Sequence, residues 1–320
     1  MKALQGVEGH VEWVEQPSPT LDVGQVRIKV AAAGLNRADL LQRAGLYPPP
    51  PGVTEILGME CSGVIAEVGP GTSWTVGDRV CALVAGGAMA EEVVVDARHV
   101  LPVPAGLSLH EAAGIPEVYA TAWLNLFQLA GVKPGEKVLL HAGASGVGSA
   151  AIQLCKAFGS PCWVSVGSAE RLKYCEDLGA QGGVIRSESL DGLSDLGPFN
   201  VILDPVGANY AALNLKVLAN DGRLVLIGLM GGRKAELDFA QVLSKRIHIL
   251  GSTLRSRDDQ FKADLLADLG QHVWPLFTEG RLKPQLARTF PISEAEEAYA
   301  ELATNQVSGK VVLVIDPSLV

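Results

Sequence analysis

Hydrophobic and polar positions alternate in short runs over residues 1–110 and then settle into longer blocks with helical spacing. In the first stretch Val26–Ala31 (VRIKVA), Gly63–Glu67 (GVIAE) and Glu91–Val95 (EEVVV) carry strand patterns. The turn formers Val23-Gly24, Gly69-Pro70-Gly71, Val76-Gly77-Asp78 and Gly86-Gly87 lie between them. One helix is expected after Asn36 (NRADLLQRAG), with Gly45 past its end. The pattern predicts an antiparallel, barrel-like domain.

Beyond it, His110–Gly131 reads as helical, and from Lys137 onward strands and helices alternate. Strands are expected at Lys137–His141, Cys162–Val166, Gly183–Arg186, Phe199–Leu203, Gly222–Ile227 and Ile247–Gly251. The expected helices are Gly146–Phe158, Ala169–Leu178 (ended by Gly179) and Tyr210–Leu218. Such alternation means parallel pairing with right-handed crossovers, an α/β doubly wound sheet. Asp258–Gly280 reads as one long amphipathic helix, and Ser293–Thr304 as another with Ser293 and Glu296 forming a capping box. Lys310–Ile315 is a closing strand.

With 320 residues the chain has room for about two domains. A hydrophobic content of 48% and 36 glycines suit a globular α/β protein and exclude a disordered one. The net charge of −9, with no run of Lys or Arg, argues against nucleic acid or an acidic membrane surface as partner. Five cysteines, an odd number without a CxxC, point to a reducing, cytoplasmic setting. The N-terminal MKALQGVEGHVEWVEQP is charged where a signal peptide is apolar, and no apolar run reaches the roughly 18 residues of a membrane span.

The most informative segment is KVLLHAGASGVGSAAIQLCK, residues 137–156. A strand runs into a glycine turn and a helix follows, so backbone N–H groups at the helix start can cradle a diphosphate. Gly146, Val147 and Gly148 supply the turn, and Ser145 adds a hydroxyl. The spacing is not GxGxxG; the strand before and helix after carry the argument. The second strand ends at Gly167-Ser168 without an acid, while Ser168, Arg171 and Arg186 are close by. A carboxylate at that tip would hold the free ribose hydroxyl of NAD; a hydroxyl and guanidinium groups suit the 2′-phosphate of NADPH. The competing reading makes Arg171 a solvated helix residue paired with Glu170 or Asp177, and Glu170 weakens the NADPH expectation.

As a whole the chain resembles the medium-chain dehydrogenase/reductase superfamily, and within it the zinc-free quinone oxidoreductases related to ζ-crystallin, closest to the p53-inducible quinone oxidoreductase branch. The stretches that carry the resemblance are AAAGLNRADLLQRAGLYPPPPG (31–52), ILGMECSGVIAEVG (56–69), HAGASGVGSAAIQL (141–154), GLMGG (228–232), LRSRD (254–258) and Ser308–Val312. The resemblance implies a Rossmann domain inserted into a GroES-like, mostly-β catalytic domain. The expected parts are 1–116 and 274–320 for the catalytic domain and 117–273 for the nucleotide domain. It also implies a homodimer built by edge-to-edge extension of the Rossmann sheets.

In the zinc alcohol dehydrogenases of that superfamily, the catalytic ligand positions correspond to Asn36, Met59 and, less securely, Glu117 here. Asn and Met are poor ligands for zinc, so a metal-free site is expected. The resemblance then implies reduction of a quinone by NADPH, with Asn36 and Tyr47 at the acceptor and Glu60 as a structural acid. Asn36 would donate an amide hydrogen bond, and Tyr47 would offer a hydroxyl and an apolar ring. Residue chemistry alone favours Asn36 as an N-cap and Tyr47 as a packing partner of Pro48–Pro51, and the resemblance reverses that. Gly228, Leu229 and Met230, Leu254 and Arg255, and Lys310 are expected to approach the cofactor. Reduction of an enone or enoyl thioester, and non-catalytic NADPH binding, are the competing functions.

Overall fold

The computed structural model describes residues 1–7, 9–186 and 190–319. They form two compact units, Met1–Ala120 with Leu254–Val320, and Thr121–Thr253.

The first unit opens with the antiparallel hairpin of β1 (Lys2–Val7) and β2 (His10–Glu15). Next come β3 (Gln25–Gly34), helix α1 (Arg37–Arg43), β4 (Glu60–Val68), β5 (Arg79–Leu83), β6 (Glu92–Asp96) and β7 (Val100–Pro102). The short helices α2 (Leu109–Ala112) and α3 (Pro116–Trp123) follow. In the first half of β3, Val26, Ile28 and Val30 are buried, whereas Arg27 pairs with Glu67 and Glu92, and Lys29 with Asp316. From Ala31 onward every residue of the strand is buried, which explains its run of small side chains.

In the inserted unit β8 (Val138–His141), α4 (Gly146–Ala157), β9 (Cys162–Val166), α5 (Ala169–Leu178) and β10 (Gly183–Ile185) come first. They are followed by α6 (Leu193–Leu196), β11 (Phe199–Asp204), α7 (Ala211–Val217), β12 (Leu218–Leu226), α8 (Phe239–Lys245) and β13 (His248–Gly251). The six strands are all parallel, in the order β10-β9-β8-β11-β12-β13. This is the order of a dinucleotide-binding fold, with its switch point between β8 and β11. β8 is buried along its whole length, as a central parallel strand covered on both faces must be.

The chain then rejoins the first unit through α9 (Asp259–His272), α10 (Trp274–Thr278), β14 (Leu286–Pro291), α11 (Ala295–Ala303) and β15 (Lys310–Val314). β15 lies antiparallel to β3, with Val312 opposite Gly34, and parallel to β14. Together with β6 on β3, a seven-stranded sheet results, ordered β14-β15-β3-β4-β5-β7.

The architecture is that expected of a Rossmann unit and a GroES-like unit, but several expectations need correcting. Residues 254–273, expected in the nucleotide domain, belong to the first unit. There His99 Nε2 donates to the Asp259 carbonyl at 2.8 Å and Arg98 to Gln260 at 2.7 Å, which binds α9 to β6 and β7. The long helix expected over Asp258–Gly280 is broken at Val273, ahead of Pro275. The helix expected over His110–Gly131 is interrupted over residues 113–115, resumes at Pro116 and ends in a π-turn over Leu124–Leu129. No capping box forms at Ser293, because Glu296 instead pairs with Arg43 and accepts the Val11 N–H. The sequence pattern does not announce the hairpin β1–β2 or the strands β5, β7 and β14. Those last three are short, and β14 has an irregular, mostly exposed pattern.

Candidate active site

In the inserted unit the turn from β8 into α4 is shaped by close approach. Ala142 takes a positive φ of 54°. A Cβ on Gly143 would lie 2.5 Å from Val164, and one on Gly148 only 2.4 Å from the Gly143 carbonyl oxygen. Ser145 is the N-cap of α4, its hydroxyl accepting the Gly148 N–H at 3.1 Å. The N–H groups of Gly146 and Val147 stand at the open start of the helix, where an anion finds unsatisfied donors. Ser145 therefore acts first as a cap.

At the tip of β9, Ser168 caps α5 and its hydroxyl accepts the Arg171 N–H at 3.4 Å. Arg171 and Arg186 both pack over Gly167: a Cβ there would meet their guanidinium nitrogens at 3.0 and 3.4 Å. Burial, then the neighbouring Arg186, lowers the Arg171 pKa below its ordinary value. The acids suggested as Arg171 partners are engaged elsewhere. Asp177 pairs with Lys173, and Glu170, exposed, is held below its usual carboxylate range chiefly by the Ser168 hydroxyl. Two like charges thus converge where an acid would stand in an NAD site.

Past β11 and β12 two loops are tied together. The Met230 N–H donates to the Pro205 carbonyl and the Gly231 N–H to Val206, at 3.2 and 2.7 Å. Gly228 permits the approach, since a Cβ would sit 2.8 Å from the Pro205 carbonyl oxygen. Leu229 and Met230 remain half exposed. The first loop is anchored by a buried polar chain that sequence reasoning missed. Asp204 accepts the N–H groups of Val206 and Gly207 on one oxygen and the Asn214 amide on the other, at 2.6, 3.1 and 2.8 Å. With its NH₂ so used, the Asn214 carbonyl accepts from His141 Nε2 at 2.8 Å, leaving His141 Nδ1 to accept from the Ser165 hydroxyl at 2.8 Å. Burial pushes the His141 pKa down, so the ring is neutral. His141, the last residue of β8, and His99 are both buried.

The first unit gathers charge. Glu60 is fully buried and accepts three donors: the Lys310 ammonium at 2.6 Å, the Asn36 amide at 2.9 Å and the Glu117 N–H at 3.0 Å. Lys310, 5% exposed, also donates to the Leu35 carbonyl and to Asn36 Oδ1, at 2.6 and 2.8 Å. All three ammonium hydrogens are thereby used, which replaces the direct cofactor contact expected of Lys310. Asn36 is likewise held at both ends of its amide, its NH₂ donating to Glu60 and, at 3.4 Å, to the Gly34 carbonyl. It sits at the N-cap position of α1, with Asp39 at the third position of the helix accepting its N–H in return. Gly34 makes room for the cluster, since a Cβ there would lie 2.5 Å from Glu60 Oε1. Asp39, also fully buried, accepts the Asn36 N–H at 2.7 Å, and burial raises its carboxyl to about 7.

Arg255 and Leu254 belong to the first unit. Its guanidinium donates to the Ala85 carbonyl and to Gln42, both at 2.6 Å, and lies 5.3 Å from the centre of the Tyr47 ring. Tyr47 is therefore a half-buried ring with a cation behind it, and not only a partner of the prolines. The positions that correspond to zinc ligands do not fit the metal. Asn36 is locked between Lys310 and Glu60, Met59 offers a thioether, and Glu117 enters through its backbone N–H. Among the described residues no group of three or more His, Cys, Asp or Glu side chains is placed to hold a metal ion. Nor is any helix long and apolar enough to cross a membrane.

Comparison with known proteins fits this arrangement. The family model "Alcohol dehydrogenase GroES-like domain" matches residues 22–105, and "Zinc-binding dehydrogenase" matches 146–269, a stretch that contains none of Asn36, Met59 and Glu117. The chain is 31% identical to quinone oxidoreductase-like protein 2 of Bos taurus, covering 90% of this chain and 84% of that one. It is 33% identical to polyketide synthase GfsB of Streptomyces halstedii over 97% of its own length, but spans only 5% of that protein. Among solved structures, the quinone oxidoreductase of Thermus thermophilus, determined also in complex with NADPH, superposes with a TM-score of 0.84 at 32% identity, covering 98% of this chain and 100% of that one. CurK enoyl reductase gives 0.85 at 28% identity, covering 98% of each. The chain belongs to the medium-chain dehydrogenase/reductase superfamily, a family of oxidoreductases.

Proposed function

We propose that this chain is a zinc-independent NADPH:quinone oxidoreductase of the ζ-crystallin-like kind. The observation that carries the reading is the Asn36–Glu60–Lys310 cluster, in which Asn36, at one of the ligand positions of the zinc enzymes, is held between Glu60 and Lys310. No Lewis acid is then available to polarise a simple carbonyl, so the acceptor must be electron-poor by itself, as a quinone is. NADPH supplies the hydride. Gly146, Val147 and Gly148 present the helix start to its diphosphate, with Ser145 fixing the turn, and Arg171, Arg186 and Ser168 receive the 2′-phosphate. Gly228, Leu229 and Met230 form the rim of the nucleotide crevice. In the first unit Tyr47, backed by Arg255, offers a ring and hydroxyl to the acceptor, and Asn36 and Lys310 hold that region rigid.

The test is steady-state turnover with NADPH and NADH against a panel of quinones and enones. Quinone turnover with a preference for NADPH is expected. A preference for enones would favour the second reading, an enoyl reductase, which the 28% identity to CurK supports. Tight NADPH binding without turnover on any acceptor would leave a nucleotide-binding protein. A second copy of the chain is the proposed partner. β13 is a sheet edge, and Ile249 on it and Phe239 and Leu243 on α8 are exposed apolar residues, suited to edge-to-edge pairing. Cytoplasmic residence is proposed from the five cysteines, all buried and free.

A further inference from the structure

Arg171 and Arg186 bring two guanidinium groups over Gly167, where like charges disfavour each other until an anion joins them. The hydroxyl beside them is partly spent, because Ser168 shares its hydrogen with the exposed Glu170 carboxylate. A phosphate monoester carries about two negative charges and three acceptor oxygens. Two guanidinium groups leave it room for a further neutral donor.

Tyr210 stands close by, from the other side of the switch point, in the turn between β11 and α7. Its ring meets the His141 ring edge-on, with centroids 4.7 Å apart and planes at 60°. His141 ends β8 and lies opposite Ser165 of β9, two residues before Gly167. Adjacent strands are about 4.8 Å apart, so the ring contact and the two arginines occupy neighbouring strand tips. Arg186 follows β10, which β9 and β8 separate from β11. Its charge still acts on the Tyr210 phenol, as its guanidinium lies over the β9 tip and not at the end of its own strand.

Tyr210 has no task in its own helix. It occupies the N-cap position of α7, and its side chain makes no cap bond. Burial raises the phenol above its ordinary value, with Arg186 pulling the other way and Asp204 adding to the rise, so the hydroxyl keeps its hydrogen. The buried chain from Ser165 through His141 and Asn214 to Asp204 fixes both the ring on which Tyr210 rests and the start of the loop that carries it.

We propose that Tyr210 is a specificity residue of the nucleotide site, its hydroxyl donating a hydrogen bond to the adenosine 2′-phosphate between Arg171 and Arg186. The role rests on the NADPH reading of this site and adds a donor from the far side of the crevice.

The test is calorimetric titration of the full chain with adenosine 2′,5′-bisphosphate and with 5′-AMP, which differ only in the 2′-phosphate. The parent is expected to bind the bisphosphate at least about tenfold more tightly. Tyr210→Phe keeps the ring on His141 and removes only the hydroxyl. It should weaken the bisphosphate by about tenfold, the loss of one hydrogen bond to a charged group, and leave AMP unchanged. A variant whose ratio of the two affinities equals the parent's overturns the proposal, while the parent's own preference for the bisphosphate keeps the NADPH reading in place. An equal loss for both nucleotides makes Tyr210 a packing residue and overturns the proposal as well. A parent without preference for the bisphosphate overturns both the proposal and the NADPH reading.

Discussion

The inserted unit and the outer unit both bury polar side chains, one with neutral groups and the other with full charges. In the inserted unit Ser165, His141, Asn214 and Asp204 form a directed chain that ends on two backbone N–H groups. Only its last member is a carboxylate, and that carboxylate sits where a loop needs anchoring. In the outer unit Lys310, Glu60 and Asp39 are all buried, with Asn36 between them. Neutral networks tolerate a missing member at the cost of an unsatisfied donor; charged ones leave an ion without its partner. The difference teaches that the outer cluster is a device for rigidity, not a set of free reacting groups.

The comparison is tested most severely at Lys310. Lys310→Met should lower the unfolding free energy by about 3–5 kcal/mol, since Glu60 is left buried and charged. Adding Glu60→Gln should recover part of that loss, as read by urea unfolding of the single and double variants. A loss under about 1 kcal/mol for Lys310→Met would show the cluster to be no more than a surface-like pair.

Asp39 offers the next effect. Its carboxyl is raised from the ordinary 3.8 to about 7, so in that window the native state holds a proton that the unfolded chain has released. Stability is therefore highest below the lower value and falls as pH rises through the upper one. Asp39→Asn keeps an acceptor for the Asn36 N–H and removes the titration. Its stability relative to the parent should climb by roughly 2–4 kcal/mol between about pH 4 and pH 8. Parallel curves for parent and variant would contradict the assignment.

In the inserted unit Asn214→Leu should cost about 1–3 kcal/mol, less than the Lys310 change, because it leaves unsatisfied hydrogen-bonding groups and no unpaired cation. Equal costs for the two would erase the distinction between the units. The smallest effect is on selectivity: Arg171→Ala should reduce the NADPH-over-NADH preference by about tenfold, or about 1.4 kcal/mol, as measured by cofactor dissociation constants. An unchanged ratio would remove Arg171 from the phosphate site.

The parts of the site that are legible in the sequence are those built from neighbours along the chain. The glycine turn of 142–148 announces itself because strand, turn and helix are contiguous, and Ser168, Arg171 and Arg186 follow from the missing acid at the next strand end. Asn36 stands out only by resemblance. Its partners Glu60 and Lys310 are 24 and 274 positions away, and no spacing rule joins them. Arg255 follows β13, and the bonds of its guanidinium to Ala85 and Gln42 join residues far apart along the chain. Burial of Asp39 and His141 is invisible for the same reason, since tertiary packing decides which titratable side chain loses water. Secondary structure is misread where elements are short or irregular, as in β14, or where a proline divides a periodic run, as in α9 and α10.

The pairing of β15 with β3 has a consequence for the order of assembly during synthesis. The inserted unit is one uninterrupted segment, and every described strand of its sheet has been synthesised by residue 253. The outer sheet must wait with Asn36 and Glu60 already made until β15 brings Lys310 to neutralise Glu60 and bond to Asn36. Nascent chains should thus become competent for nucleotide well before the outer cluster can close, and the vulnerable interval for aggregation falls between those two events.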